Sequence, residues 1–193
     1  PDFKVDLRAL QSYDREYQYL EGQIEGADVI AFAKAKQLLH ATQNGKPLSI
    51  TWLSEETTAR YHVFKIDSIR RDIEDAKIQV SWDGDAIGAE ETKGENEVLI
   101  PGRNNFKIVK INQTLGANAS LAINFSDPLE EKQNFKGLVT IQRAGSLRFE
   151  VDGNVLNVYP ENKIVGKSLV EVFQGIKSTD GYKLKMPFAE TVS

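Results

Sequence analysis

Cysteine is absent from the 193 residues. That removes disulfide frameworks, thiolate metal sites and cysteine nucleophiles at a stroke. Histidine is nearly absent as well: with His40 and His62 alone, one chain cannot supply a tri-histidine metal centre. No apolar run approaches the ~20 residues that a membrane-spanning helix needs, so no membrane insertion is expected of this stretch. No charged-then-apolar leader opens the chain either. It begins with Pro1 rather than Met and is read as an excised or processed piece of something longer. An excess of positive charge is also missing. The formal net charge is −4, against the basic footprint that nucleic-acid binding requires. What remains, 40% hydrophobic and 27% charged residues, is globular composition with enough apolar content for one large core or two small ones.

The repeated signal is period two. Apolar residues alternate with polar or small ones in Ile78, Val80, Trp82, in Leu121, Ile123, Phe125 and in Leu147, Phe149, Val151. Such spacing puts one strand face in a core and the other in water. Turn pairs punctuate the runs: Asn44-Gly45, Asp83-Gly84, Asp152-Gly153-Asn154 and Asp180-Gly181. These supply the positive φ values of tight hairpins. The clearest hairpin joins 147–151 to 155–159.

One stretch departs from this. Val29, Phe32, Ala33, Lys36 and Leu39 fall close to helical spacing, with Asp28 as a start cap and Asn44-Gly45 as a stop, and predict a helix from Asp28 to about Thr42, Lys34 and Lys36 facing solvent. An irregular strand is the alternative. The sequence Pro101-Gly102-Arg103-Asn104-Asn105 reads as linker chemistry, because proline blocks ladder pairing and glycine loosens the chain. The expected organisation is a first domain over 1–101, a linker over 102–105 and a second domain over 106–193. Strands are expected at 3–10, 17–24, 48–53, 61–67, 77–82 and 97–100 in the first. In the second they are expected at 106–112, 119–125, 138–141, 147–151, 155–159, 168–173 and 183–191, the last broken at Pro187. Two pieces of this size with short strands and frequent turns give an all-β fold: two consecutive immunoglobulin-like sandwiches, one short helix in the first. The halves show no convincing sequence repeat.

Motifs that carry chemistry are thin. Residues 161–168 end like a phosphate-binding loop, but Glu161 replaces the first glycine and no helical pattern follows Ser168, so a turn is expected. Asp83-Gly84-Asp85-Ala86-Ile87-Gly88 opens like a calcium loop, yet Ile87 takes a ligand position and Gly94 stands where a bidentate glutamate belongs. A solvated hairpin is the better reading, and a looser calcium site through Glu90 or Glu91 is the alternative. Asp127, Glu130 and Glu131 cluster after a strand; paired carboxylates run acid–base hydrolysis only inside a pocket that separates their pKa values, and ordinary loop chemistry is preferred. His62 lies in an alternating run as a packed or surface residue, and no Gly-x-Ser-x-Gly elbow occurs. Asn112, Asn118 and Asn124 each open a glycosylation acceptor pattern and are read as plain turn and strand residues. Tyr13, Tyr17 and Tyr19, interleaved with charges, form the one hint of a carbohydrate platform, with strand packing as the simpler account. Trp52 and Trp82 are expected in cores. No catalytic residue, cofactor site or metal site is assigned.

Longer motifs carry a resemblance. Leu121-Ala122-Ile123-Asn124-Phe125-Ser126-Asp127-Pro128-Leu129 is followed by Gly137-Leu138-Val139-Thr140-Ile141. Further on come Gly175-Ile176-Lys177 and Asp180-Gly181-Tyr182. This half resembles the bacterial Ig-like domain of large envelope proteins. With Thr42-Gln43-Asn44-Gly45-Lys46-Pro47-Leu48 and Val80-Ser81-Trp82-Asp83-Gly84-Asp85 from the first half, the whole is similar to the N-terminal region of bacterial alpha-2-macroglobulins, particularly the Bacteroides-like branch. The resemblance implies macroglobulin-like sandwiches serving as non-enzymatic scaffold in a protease-trapping inhibitor. It implies a parent that is a periplasmic or membrane-anchored lipoprotein of the cell envelope. Its partners would be neighbouring domains of the same chain and, through the whole parent, proteases. The bait segment and any Cys–Gln thioester would lie elsewhere. A cell-surface carbohydrate-binding or adhesion module is the alternative, and a hydrolase built on Asp127 with Glu130 or Glu131 a formal third.

Overall fold

A computed structural model describes residues 2–53, 57–114 and 119–193. The chain divides into two compact units. Unit 1 comprises Pro1–Leu10 with Glu16–Gly102, and unit 2 comprises Gln11–Arg15 with Arg103–Ser193. The division thus differs from a single cut near residue 101, because five residues close to the start are built into the second unit. Pro101 and Gly102, read from composition as linker, are buried. Arg71, 1% exposed, donates from Nε to Pro101 O at 2.8 Å and from a terminal nitrogen to Gly102 O at 2.7 Å. Asp75 accepts from Gly102 N at 2.7 Å. A Cβ on Gly102 would stand 2.3 Å from Ile73 O, so glycine here serves close packing rather than a loose chain.

In unit 1 the strands run β1 (Phe3–Leu7), then β3 (Tyr17–Ala31) after the two-residue β2 (Gln11–Ser12) of unit 2. They continue with β4 (Leu39–Gln43), β5 (Lys46–Pro47), β6 (Ile50–Trp52), β7 (Thr58–Arg70), β8 (Ala76–Gly84) and β9 (Ala89–Ile100). One sheet is ordered β1-β3-β7-β6 and the other β5-β4-β8-β9, with antiparallel pairings. Alternation dictates which side chains enter the core: Leu20 and Ile24 from β3, Phe64 and Ile66 from β7, Ile78 and Val80 from β8 are all 0–1% exposed. Ile69, three residues after Ile66, is also fully buried. The ladder skips a residue there, and Ser68 takes a left-handed φ of 57°. This bulge restores the core parity and carries the strand past Asp67, where alternation alone ends it.

The expected helix from Asp28 to Thr42 is corrected. Only Phe32–Ala35 is helical, a single turn, α1, preceded by Ala31 without a side-chain cap. Ile30 and Ala31 pair with Ala59 and Thr58, and Leu39–Gln43 pairs with Ile78–Trp82. Ladder bonds on both flanks outcompete a helical spacing whose first apolar member, Val29, is 63% exposed. At Asn44-Gly45 the expected hairpin is present: φ values of 52° and 74°, with Gln43 facing Lys46, make a two-residue turn of the type that matches strand twist.

Unit 2 contains β10 (Ile108–Thr114), β11 (Ser120–Phe125), β12 (Val139–Ile141), β13 (Leu147–Asp152), β14 (Val155–Pro160), β15 (Ser168–Val172) and β16 (Phe188–Val192). These are the seven strands read from the sequence, the last starting after Pro187. Its sheets are ordered β10-β11-β14-β13 and β12-β15-β16, around a core in which Leu121, Ile123, Phe125, Leu156, Val158, Val170 and Val172 are fully buried. Each such side chain contributes about 1.5–3 kcal/mol relative to exposure.

Lettering the seven strands of unit 2 in chain order A to G turns its sheets into A-B-E-D and C-F-G, the connectivity of an immunoglobulin constant-type sandwich. Unit 1 gives A-B-E-D and C′-C-F-G under the same lettering, β5 being the extra C′ strand. Both units are immunoglobulin-like β-sandwiches.

Candidate functional site

A groove with mixed polar and aromatic lining lies in unit 1, where β4 and β8 pair. Gln37, His40, Ser81, Trp82, Asp83, Asp85 and Ala86 line an open depression of about 620 Å³. Strand geometry explains the assembly. Leu39 faces Trp82 and His40 faces Ser81 across the ladder, so the outward parity of both strands sets His40 beside Ser81, next to the strand end where the indole lies. Trp82 also covers the Cα of its partner on β9, Gly94, where a Cβ would stand 2.5 Å from indole Cζ2. The indole is half-buried, as a strand-end residue of inward parity is.

At one end of the groove Lys93 Nζ lies 3.2 Å from Asp83 Oδ2 and 3.2 Å from Asp85 Oδ1. Asp83 Oδ1 accepts from Asp85 N at 2.8 Å. The Asp85 backbone N–H first, and then the Lys93 ammonium, hold the Asp83 carboxyl below the usual aspartate range. The two carboxylates in turn raise the Lys93 ammonium above its ordinary value. The carboxylates of the calcium-like motif are therefore engaged by a lysine. Among the described residues no group of three or more His, Asp or Glu is placed to hold a metal ion. The chain reversal falls at Asp85–Gly88, one step beyond the expected Asp83-Gly84 turn. Chemically the groove offers an aromatic edge, an amide, an imidazole and an acidic pair whose charge one lysine offsets in part. That is a set for hydrogen-bonding a polar ligand.

His62 is fully buried. Its Nε2 lies 2.9 Å from Ile30 O and 3.1 Å from Ala59 O; facing two acceptors, it carries the proton. Nδ1 has no partner among the described residues. Phe32 stacks at 6.2 Å and Trp52 meets the ring edge-on at 6.5 Å, while Trp52 packs against Phe64 at 5.7 Å. His62 thus ties the bulged end of β3 to β7 from inside the core.

The acidic cluster of unit 2 does not converge. Asp127 is 1% exposed and accepts from Ser126 Oγ at 2.6 Å, whereas Glu130 and Glu131 are exposed. Glu161 accepts from Ser146 Oγ at 2.7 Å and Ser146 N at 3.0 Å, bonds that hold its carboxyl below the usual range. It closes a turn, and Ser168 opens β15 rather than a helix. Asn112 lies in β10 and is half-buried. Asn124 is 2% exposed, closed to a glycan, and Asn118 lies outside the described residues. Of the three tyrosines, Tyr13 belongs to unit 2 and is 50% exposed. Tyr17 and Tyr19 share a face of β3 in unit 1, with Lys65 Nζ 5.1 Å from the Tyr19 ring.

A polar network in unit 2 went unread in the sequence. Gln11 Nε2 donates to Asn124 Oδ1 at 2.8 Å, Ser12 N to Asn154 Oδ1 at 3.1 Å and Ser12 Oγ to Ser126 O at 2.6 Å. Asn154 Nδ2 donates to Phe125 O at 3.0 Å. Arg15 donates to Arg103 O at 3.2 Å and stacks 4.4 Å over Tyr182. The available signal was Asn154 itself, a polar residue in a turn whose side chain is buried.

No protein family and no curated protein match the sequence. Among solved structures, titin domains Z1Z2 in complex with telethonin align over 99% of this chain and 94% of that one, at 10% identity and a TM-score of 0.31. The fold class rests on the strand order above: the chain is a tandem of immunoglobulin-like β-sandwich units.

Proposed function

We propose that this chain is a non-enzymatic structural segment of a bacterial alpha-2-macroglobulin-like protease inhibitor. Its parent would be a lipoprotein of the periplasm or cell envelope, with bait and thioester outside this stretch. The observation that supports the reading best is the repeated A-B-E-D against C-F-G strand order in two units, one after the other. The turn-and-strand motifs quoted above carry the resemblance to that family. Polar side chains that suggest chemistry in the sequence are engaged structurally: Asp127 by Ser126, Asp83 by Lys93, His62 by two strand carbonyls. Such units work by presenting faces to neighbouring domains of the same parent.

A second reading, a surface carbohydrate-binding module, is favoured by one observation, the Trp82 groove with its hydrogen-bonding rim. One pair of experiments separates the two. The scaffold reading expects the chain to leave the activity of added endopeptidases unchanged and to bind nothing on a glycan array. Protease inhibition by the chain alone, or saturable quenching of Trp82 fluorescence by a glycan, would overturn it.

A further inference from the structure

We propose that β13 is a self-pairing edge through which two copies of this chain associate about a two-fold axis. This goes beyond the scaffold reading and does not depend on it. β13 closes its sheet on one side, pairing with β14 and with no other strand among the described residues. Its six residues, Leu147-Arg148-Phe149-Glu150-Val151-Asp152, contain no proline, glycine or bulge. Proline, bulges, extreme shortness and uncompensated charge are devices with which natural sheets block an edge, and on β13 Arg148 is set against Glu150, with Asp152 at the turn.

The other edges are closed in one of these ways. β5 is two residues long and ends in Pro47, while β6 and β12 have three residues each. β10 carries a bulge between Ile108 and Lys110. β9 bears Glu90, Glu91, Glu95 and Glu97 against one lysine, and β16 bears a single uncompensated charge, Glu190. β1 alternates much as β13 does, but the Asp2 carboxylate holds its Phe3 N–H at 2.8 Å.

Backbone parity shows what the β13 edge offers. Ser146 O accepts from Glu161 N at 2.9 Å, and Asp152 faces Val155 across a two-residue turn. The even residues therefore bond to β14 and the odd ones, Leu147, Phe149 and Val151, aim their N–H and C=O groups outward. An antiparallel copy centred on Phe149 places Phe149 opposite Phe149. Leu147 then faces Val151, each as a pair exchanging both main-chain bonds. The same register sets Arg148 opposite Glu150 twice, in the closer non-bonded pairs where side chains interact most strongly. Arg148 stacks 4.0 Å over the Tyr159 ring and Glu150 accepts from the Tyr159 hydroxyl at 3.4 Å, yet their side chains stay 67% and 60% exposed and so within reach of a second copy. Within one copy Arg148 is already 3.8 Å from Glu150, so association extends an alternating-charge row.

Beside the strand is a groove of about 450 Å³ in which Leu147 and Phe149 meet Val139 and Ile141. The apolar pairs of the second copy fall along it. An isologous contact of this kind matches each residue with its own complement. One β-edge is small beside a permanent interface, so the dimer is weak.

Sedimentation of the 193-residue chain over rising concentration should show a monomer–dimer equilibrium. Either Arg148→Glu or Glu150→Arg places like charges opposite each other twice and should weaken it at least about tenfold, while the double exchange R148E/E150R restores it. A chain that stays monomeric to millimolar concentration, or three variants that associate just as the unaltered chain does, would overturn the proposal. The absence of cysteine allows a direct check of register. Mixed Arg148→Cys and Glu150→Cys proteins should form a disulfide-linked dimer under mild oxidation, and neither should alone. Cross-linking of either variant with itself at equal yield would contradict the register.

Discussion

Ser12→Ala should destabilise the second unit of the chain and spare the first, although residue 12 stands near the beginning of the sequence. Ser12 is 7% exposed, and its Oγ donates to Ser126 O at 2.6 Å. Ser126 is itself fully buried and supports Lys107 N and Asp127 through its own hydroxyl. Removing a donor from a buried carbonyl costs about 1–2 kcal/mol, the lost bond plus part of the acceptor's desolvation. The alanine keeps the Ser12 N–H bond to Asn154 Oδ1, so the rest of the network stays. In a unit of this size about 1–2 kcal/mol lowers the melting temperature by roughly 5–15 °C. Amide hydrogen exchange on the whole chain locates the effect. Protection in β11 and β14 should fall by a factor of about 5–30, with β3 and β7 unchanged. Loss confined to β3 and β7, loss shared equally by both units, or no loss would refute the assignment of residues 11–15 to unit 2.

Three other outcomes follow from single contacts. His62→Phe keeps the ring but removes the donor to Ile30 O and Ala59 O, and should cost unit 1 about 1–3 kcal/mol in urea unfolding; an unchanged midpoint would show that the proton sits on Nδ1. Because the Asp83 pKa is lowered on folding, its contribution to stability is present above the unfolded value and fades as pH falls through the folded one, below about pH 4. The raised Lys93 pKa works oppositely, its contribution fading as pH rises beyond about 10. Carboxyl NMR should find Asp83 titrating below the ordinary aspartate range, and Lys93→Ala should move it upward. Gly94→Val puts a Cβ where the indole lies, so Trp82 should swing outward and, in a Trp52→Phe background, its emission should shift to the red; an unchanged spectrum would contradict that stacking.

The seven strands of unit 2 were legible because apolar runs stand between turn residues, even in β10, where a bulge between Ile108 and Lys110 breaks the period. Val155 to Tyr159 follows its hairpin turn directly, and Pro187 marks the start of β16. Unit 1 was less legible where pairing breaks period two. Ser68 inserts a residue between Ile66 and Ile69, and the ladder between β3 and β7 shifts after Glu25. The second shift leaves Val29 exposed in an accidental helical spacing with Phe32 and Leu39. That accident concealed β4, and with β4 the placement of His40 beside Trp82. Residues 11–15 were beyond local reading altogether. Their partners, Asn124, Ser126 and Asn154, lie more than a hundred positions away, and no periodicity encodes a contact at that separation. The edge of β13 is the opposite case: its alternation was plain, and its capacity to face itself became visible only once the sheet order placed it outermost.

The scaffold reading is tested most directly by determining the reading frame on both sides of this stretch. The account expects a long continuation of further β-sandwich segments with a protease-sensitive bait among them, with or without a Cys–Gln thioester. A frame that joins these two units to a catalytic domain, or that ends beside them, would contradict it and leave the Trp82 groove as the feature to pursue.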